Sequence, residues 1–161
     1  MINKLIEIIG REAAIFEAFL ELLEKQQEML VKNDAEGLSH ITDLQREKLV
    51  ESQLLNKRRL ELVREIKIAN NIDGDLNVTR LLDIVDQDQA DRLQKLQRII
   101  LDLNDKITTT RNQNAMLLNR SRQYIMKTME MLSRVNSPES TYTQEGSSKE
   151  HSKNIVVDRR A

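Results

Sequence analysis

The chain has 161 residues with a net charge of −1, 32% charged residues, 2% aromatic residues and no cysteine. Near-neutrality gives no global pull toward nucleic acid or anionic membrane, and the missing Cys excludes a disulfide framework and thiolate chemistry. Four Gly, one Pro and no Trp, among abundant Leu, Ile, Glu, Lys, Arg and Gln, is the composition of long helices and coiled coils.

The first expected helix covers residues 2–31. Ile2, Ile6, Ile9, Ala13, Phe16, Leu20, Leu23 and Leu30 form a heptad-like stripe, widened by Ile15, Phe19 and Leu22. Charged residues fill the opposite face, so the helix must pack on others. Gly10 is a weak spot inside it. Glu7, Glu12, Glu17 and Glu21 break up the apolar residues, which excludes a signal peptide. No run approaches the length of a transmembrane span.

Asn33-Asp34 marks a turn, with Asp34 as N-cap of a second helix over 34–69. Its expected inward positions are Leu38, Ile41, Leu44, Leu49, Leu55, Leu62, Val63 and Ile66. Arg58-Arg59 reads as a solvated face balanced by Glu residues of the same helix. Asn70 to Asp75, with Gly74, is the clearest loop. A short helix over 77–85 follows, and Asp86 or Asp88 caps the last helix, expected over 87–135.

That last helix carries a stripe at strict 3.5 spacing: Leu96, Ile100, Leu103, Ile107, Thr110, Asn114, Leu117, Ser121, Tyr124, Thr128, Met131, Val135. The seam is apolar to Ile107 and mixed beyond it. Polar seam residues cost stability and often set register or partner choice. A second apolar row, Leu118, Ile125, Met129 and Leu132, runs beside it. Between Arg111 and Arg134 five basic residues face one acidic residue, Glu130. Met116, Met126, Met129 and Met131 cluster in the same stretch. Methionine fills core gaps, and it also serves surfaces that adapt to a partner. The doubled apolar surface favours the second reading.

Asn136-Ser137-Pro138 stops the helix. The tail over 136–161 has the composition of a disordered segment, broken by Tyr142 with Gly146 and by Ile155-Val156-Val157. The sequence therefore reads as all-α: an elongated antiparallel bundle or coiled coil of three long helices and one short helix over 1–135, followed by a flexible tail. There is no P-loop, dinucleotide turn or Cys/His metal pattern. His40 and His151 stand alone, and no nucleophile–base pair suggests itself. The reading is a non-enzyme with no catalytic residue, cofactor or metal, no nucleic-acid partner and no membrane insertion.

The run Ile41-Thr42-Asp43-Leu44-Gln45-Arg46-Glu47-Lys48-Leu49, then Leu55, Asn56 and Arg59, resembles the second helix of the FlgN-like flagellar type III export chaperones. Gln45 replaces the family's usual Lys and Asn56 its usual Glu. Asn112-Gln113-Asn114-Ala115-Met116-Leu117-Leu118 is similar to the family's N-x-N-x-x-L-L segment. Met129-Glu130-Met131-Leu132, Pro138, Tyr142 to Gly146 and Lys153-Asn154-Ile155-Val156-Val157 follow in the family's order, with Thr143 in place of a Gly.

The resemblance implies a cytoplasmic chaperone for flagellar hook-associated (hook–filament junction) proteins. It would hold their terminal helices, prevent premature assembly and dock at the flagellar export gate through a tail tyrosine. Amphipathic client helices need apolar anchors at helical spacing. Leu117, Leu118, Ile125, Met126, Met129 and Leu132 are the expected client-binding residues, and Tyr142 the expected gate contact. The alternative is a structural coiled-coil or adaptor protein whose last helix closes a homodimer. Such a dimer could also hide the row until a client displaces it.

Overall fold

The computed structural model describes residues 1–136. It contains α1 (Ile2–Lys32), α2 (Ala35–Ala69), α3 (Val78–Leu82) and α4 (Gln87–Asn136), with no strand among the described residues. This is the expected all-α architecture of three long helices and one short one. Pro138, Tyr142, Gly146 and the Ile155-Val156-Val157 island lie outside the described residues. The chain falls into two units, Met1–Ile125 and Met126–Ala161.

The helix ends follow from local chemistry. Asn33 takes the left-handed conformation (φ 54°, ψ 36°), and its N–H returns to the Leu30 carbonyl. Asn tolerates that region better than most residues. Asp34 is extended, and its carboxylate accepts the Gly37 N–H at 2.9 Å, opening α2. Asn77 caps α3 by accepting the Arg80 N–H at 2.9 Å. Arg80 Nη1 also donates to the Asp73 carbonyl at 2.7 Å, tying down the loop before α3. Of the two Asp residues considered for α4, Asp86 accepts the Gln89 N–H at 2.8 Å. α3 is shorter than expected because Asp83 ends it and Asp86 already belongs to the next cap.

In the first unit, α1 packs against both other long helices. Its cross-helix partners on α2 run in opposite order: Glu12 meets Arg59 and Gln26 meets Gln45, so the two helices are antiparallel. Its partners on α4 keep a constant offset. Asn3–Gln89 and Gln27–Gln113 are both 86 residues apart, so α4 runs parallel to α1.

The main core gathers Leu5 and Ile6 of α1, Ile66 of α2, Leu81 of α3 and Leu93 of α4. Burial then continues through Ala13, Ile15, Leu22, Leu23 and Leu30 on α1, and through Leu55 and Ile41 on α2. Leu49 departs from expectation and is exposed. At about 100° per residue it falls well off the line through Ile41, Leu55 and Ile66. Arg59 also departs. Its Nε donates across the bundle to buried Glu12 Oε1 at 3.0 Å, and Nη2 donates to Asn56 Oδ1 at 2.6 Å, while Arg58 stays exposed.

Candidate helix-docking site

The α4 seam follows its 3.5-residue spacing as long as α1 lies beside it. Leu93, Leu103 and Asn114 are buried. Leu96, Ile100, Ile107, Thr110, Leu117 and Ser121 are half-buried. Asn114 is the polar member of the buried set. Its Nδ2 donates to the Leu23 carbonyl at 2.8 Å and to Gln26 Oε1 at 3.1 Å. Gln26 in turn donates to Gln45 Oε1 at 3.4 Å, so a polar layer joins all three long helices. Asn114 Oδ1 and Gln45 Nε2 are buried in this layer without a protein partner.

The offset that pairs Gln27 with Gln113 brings Lys32, the last residue of α1, level with Leu118. Leu117 accordingly lines an open groove together with Gln27, Glu28, Val31 and Lys32. It is a seam residue and not part of the outer row. Leu118 and Ile125 in the first unit are exposed. In the second unit, taken by itself, every described side chain from Met126 to Arg134 is exposed. Met126, Met129 and Met131 are 62%, 66% and 67% exposed and Leu132 58%. The seam positions Tyr124, Thr128 and Met131 are exposed as well. The basic character persists here: Arg120, Arg122 and Lys127 form no ion pair among the described residues, and Arg134 pairs with Glu130 at 2.6 Å.

A second concave feature was not legible in the sequence. A half-open cavity of about 370 Å³ lies over α1, with Ile9, Phe16, Leu81, Leu93 and Ile100 supplying apolar walls. The Glu12–Arg59 pair borders it, with Ser52, Asn56 and Gln97 also in its lining. The pair joins residues far apart in sequence, so only the α1–α2 register reveals it. The nearest sequence signal was Arg59 within the Leu55-Asn56-Arg59 segment. No group of three or more His, Cys, Asp or Glu side chains is placed to hold a metal ion among the described residues.

The site is thus a helix face: apolar side chains at helical spacing, many of them flexible, set among basic ones. Such a face suits recognition of an amphipathic helix. The chain matches the family model described as FlgN protein over residues 1–150 and belongs to that family, the flagellar export chaperones. No curated protein and no solved structure matches it. No helix among the described residues is long and apolar enough to cross a membrane.

Proposed function

We propose that this chaperone works in the cytoplasm on flagellar hook-associated proteins. It binds their amphipathic terminal helices on the outer row of α4, prevents their premature assembly and delivers them to the export gate. Leu118, Ile125, Met126, Met129 and Leu132 carry the client contact, with Leu117 joining it at the seam. Tyr142 carries the gate contact.

The observation that supports the reading is the exposed apolar row at the end of α4 in a member of an export chaperone family. A row at helical spacing reads a client helix through the same spacing. Unbranched Met side chains let one surface fit helices of different shape. The basic residues beside the row favour clients with acidic flanks and speed their encounter.

Binding of a hook-associated protein to the full chain tests this directly. Replacing Ile125, Met129 and Leu132 together by Ala weakens client binding by on the order of a hundredfold or more, from the apolar area removed. Helix content stays unchanged, because all three side chains are exposed. A triple variant that binds normally, or one that unfolds, defeats the assignment. Tyr142→Ala retains the client and loses affinity for the export gate; unchanged gate affinity removes the role given to Tyr142.

A further inference from the structure

The half-open cavity over α1 draws side chains from all four helices. Its apolar members are Ile9 and Phe16 of α1, Val78 and Leu81 of α3, and Leu93, Ile100 and Leu101 of α4. Its polar members are Glu12 of α1, Ser52, Asn56 and Arg59 of α2, and Gln97 of α4. All of them lie in the unit Met1–Ile125, and none belongs to the row assigned to clients. A volume of about 370 Å³ is at the small end of ligand pockets. Apolar walls with a few convergent polar groups are what such pockets present.

The charged groups of the cavity are already matched. Glu12 is 8% exposed, and its Oε1 accepts from Arg59 Nε at 3.0 Å. Arg59 Nη2 donates to Asn56 Oδ1 at 2.6 Å. No other titratable side chain among the described residues lines the cavity, so its lining carries no net charge. Hydrogen-bonding capacity remains open. The second carboxylate oxygen of Glu12, the other N–H groups of Arg59, the Ser52 hydroxyl and the Gln97 amide have no side-chain partner among the described residues.

From this inventory we infer that the cavity binds a small uncharged molecule with an apolar body and one hydroxyl or amide end. The body lies against Ile9, Phe16, Leu81, Leu93 and Ile100. The polar end meets Glu12 and Arg59, which offer it an acceptor and a donor side by side. A charged end is disfavoured with either sign. A carboxylate brings a like charge to buried Glu12 and an ammonium brings one to Arg59, while the opposite partner is already engaged. A hydroxyl or amide uses both groups and leaves the ion pair intact. The occupant touches all four helices and binds only the folded chain, so it stabilises the fold by mass action. The inference rests on the α1–α2 register and does not depend on where clients bind.

Octanol, octanoate and octylammonium share one apolar chain and differ in their heads. Titrating the full chain with each, at mildly alkaline pH, by calorimetry measures affinity, and backbone amide shifts locate the site. The expected result is saturable binding of octanol, on the order of tenfold tighter than either ion. The shifts centre on Ile9, Phe16, Leu81 and Ile100. Glu12→Gln keeps the side chain's shape and leaves Arg59 charged without its partner, so preference turns to octanoate. Arg59→Gln frees the Glu12 carboxylate, so preference turns to octylammonium. Circular dichroism checks the fold of both variants; if one unfolds, the other and the native chain still decide. A chain that binds no octanol saturably overturns the proposal. So do shifts confined to residues 118–132, equal affinity for the three heads, or folded variants that keep the native order of preference.

Discussion

At the scale of single residues, two glycines on neighbouring helices respond to the same substitution in different ways. Gly10 lies inside α1, and a methyl group added there meets nothing within 4 Å. Helix propensity then acts alone. Gly10→Ala raises stability by about 0.5–1 kcal/mol in chemical denaturation. Gly37 lies in the first turn of α2, where an added Cβ would stand 2.5 Å from Asp34 Oδ2 and 2.7 Å from Met29 Sδ. The methyl group would push the Asp34 carboxylate off the Gly37 N–H it caps, and losing such a cap costs about 1 kcal/mol. Gly37→Ala therefore gains little or nothing, although the propensity change is the same. Equal gains at both sites would show that the Asp34 cap contributes little.

Among the elements, α4 shows what periodicity records and what it omits. Its 3.5-residue stripe picks out the shielded positions from Leu96 to Ser121, including polar Thr110 and Asn114. The stripe continues in sequence through Tyr124, Thr128 and Met131, but shielding does not. A repeat shows which face a helix turns to a partner; it cannot show where the partner ends, and α1 ends at Lys32. Some local signals were legible: the turn at Asn33-Asp34 and the Asp34 cap depend only on neighbouring residues. Glu12–Arg59 and the Asn114 layer depend on how distant segments align, which one sequence does not encode in any short pattern. Leu117 lay in both the stripe and the expected client site, and in the structure it is half-buried at the end of α1.

Asn114 itself yields a prediction whose sign depends on the substituent. Its amide nitrogen faces two acceptors, the Leu23 carbonyl and Gln26 Oε1, and its own Oδ1 has no protein partner. A carboxylate here would present only acceptors to acceptors. Asn114→Asp is therefore destabilising, by about 1–3 kcal/mol at neutral pH. Asn114→Leu removes a half-satisfied amide from an apolar seam and stabilises, by on the order of 1 kcal/mol. That gain comes with weaker control of the α1–α4 register. Thermal unfolding of the two variants in parallel checks both signs. If Leu destabilises as much as Asp, the layer is worth more than its visible hydrogen bonds.

For the whole molecule, stability is distributed unevenly along one chain. The core around Leu5, Ile6, Ile66, Leu81 and Leu93 draws on all four helices. The stretch from Arg122 to Arg134 has no shielded side chain at all. A helical stretch of that length with no buried face is marginal in water, since most helix stability in proteins comes from packing one face. Its backbone hydrogen bonds therefore open locally, without global unfolding. In the free chain at low concentration, amides of residues 126–134 exchange faster than those of residues 5–23 by at least on the order of a hundredfold. Binding a client helix supplies the missing face, so protection in residues 118–132 rises towards that of α1. A homodimer closed by this helix raises it in the same residues, but only as protein concentration increases. Following exchange against client at fixed low chain concentration, and against chain concentration without client, separates the two. Strong protection of residues 126–134 in the dilute free chain would mean that another part of the chain already covers the row, leaving neither a client nor a second copy the surface assigned to it.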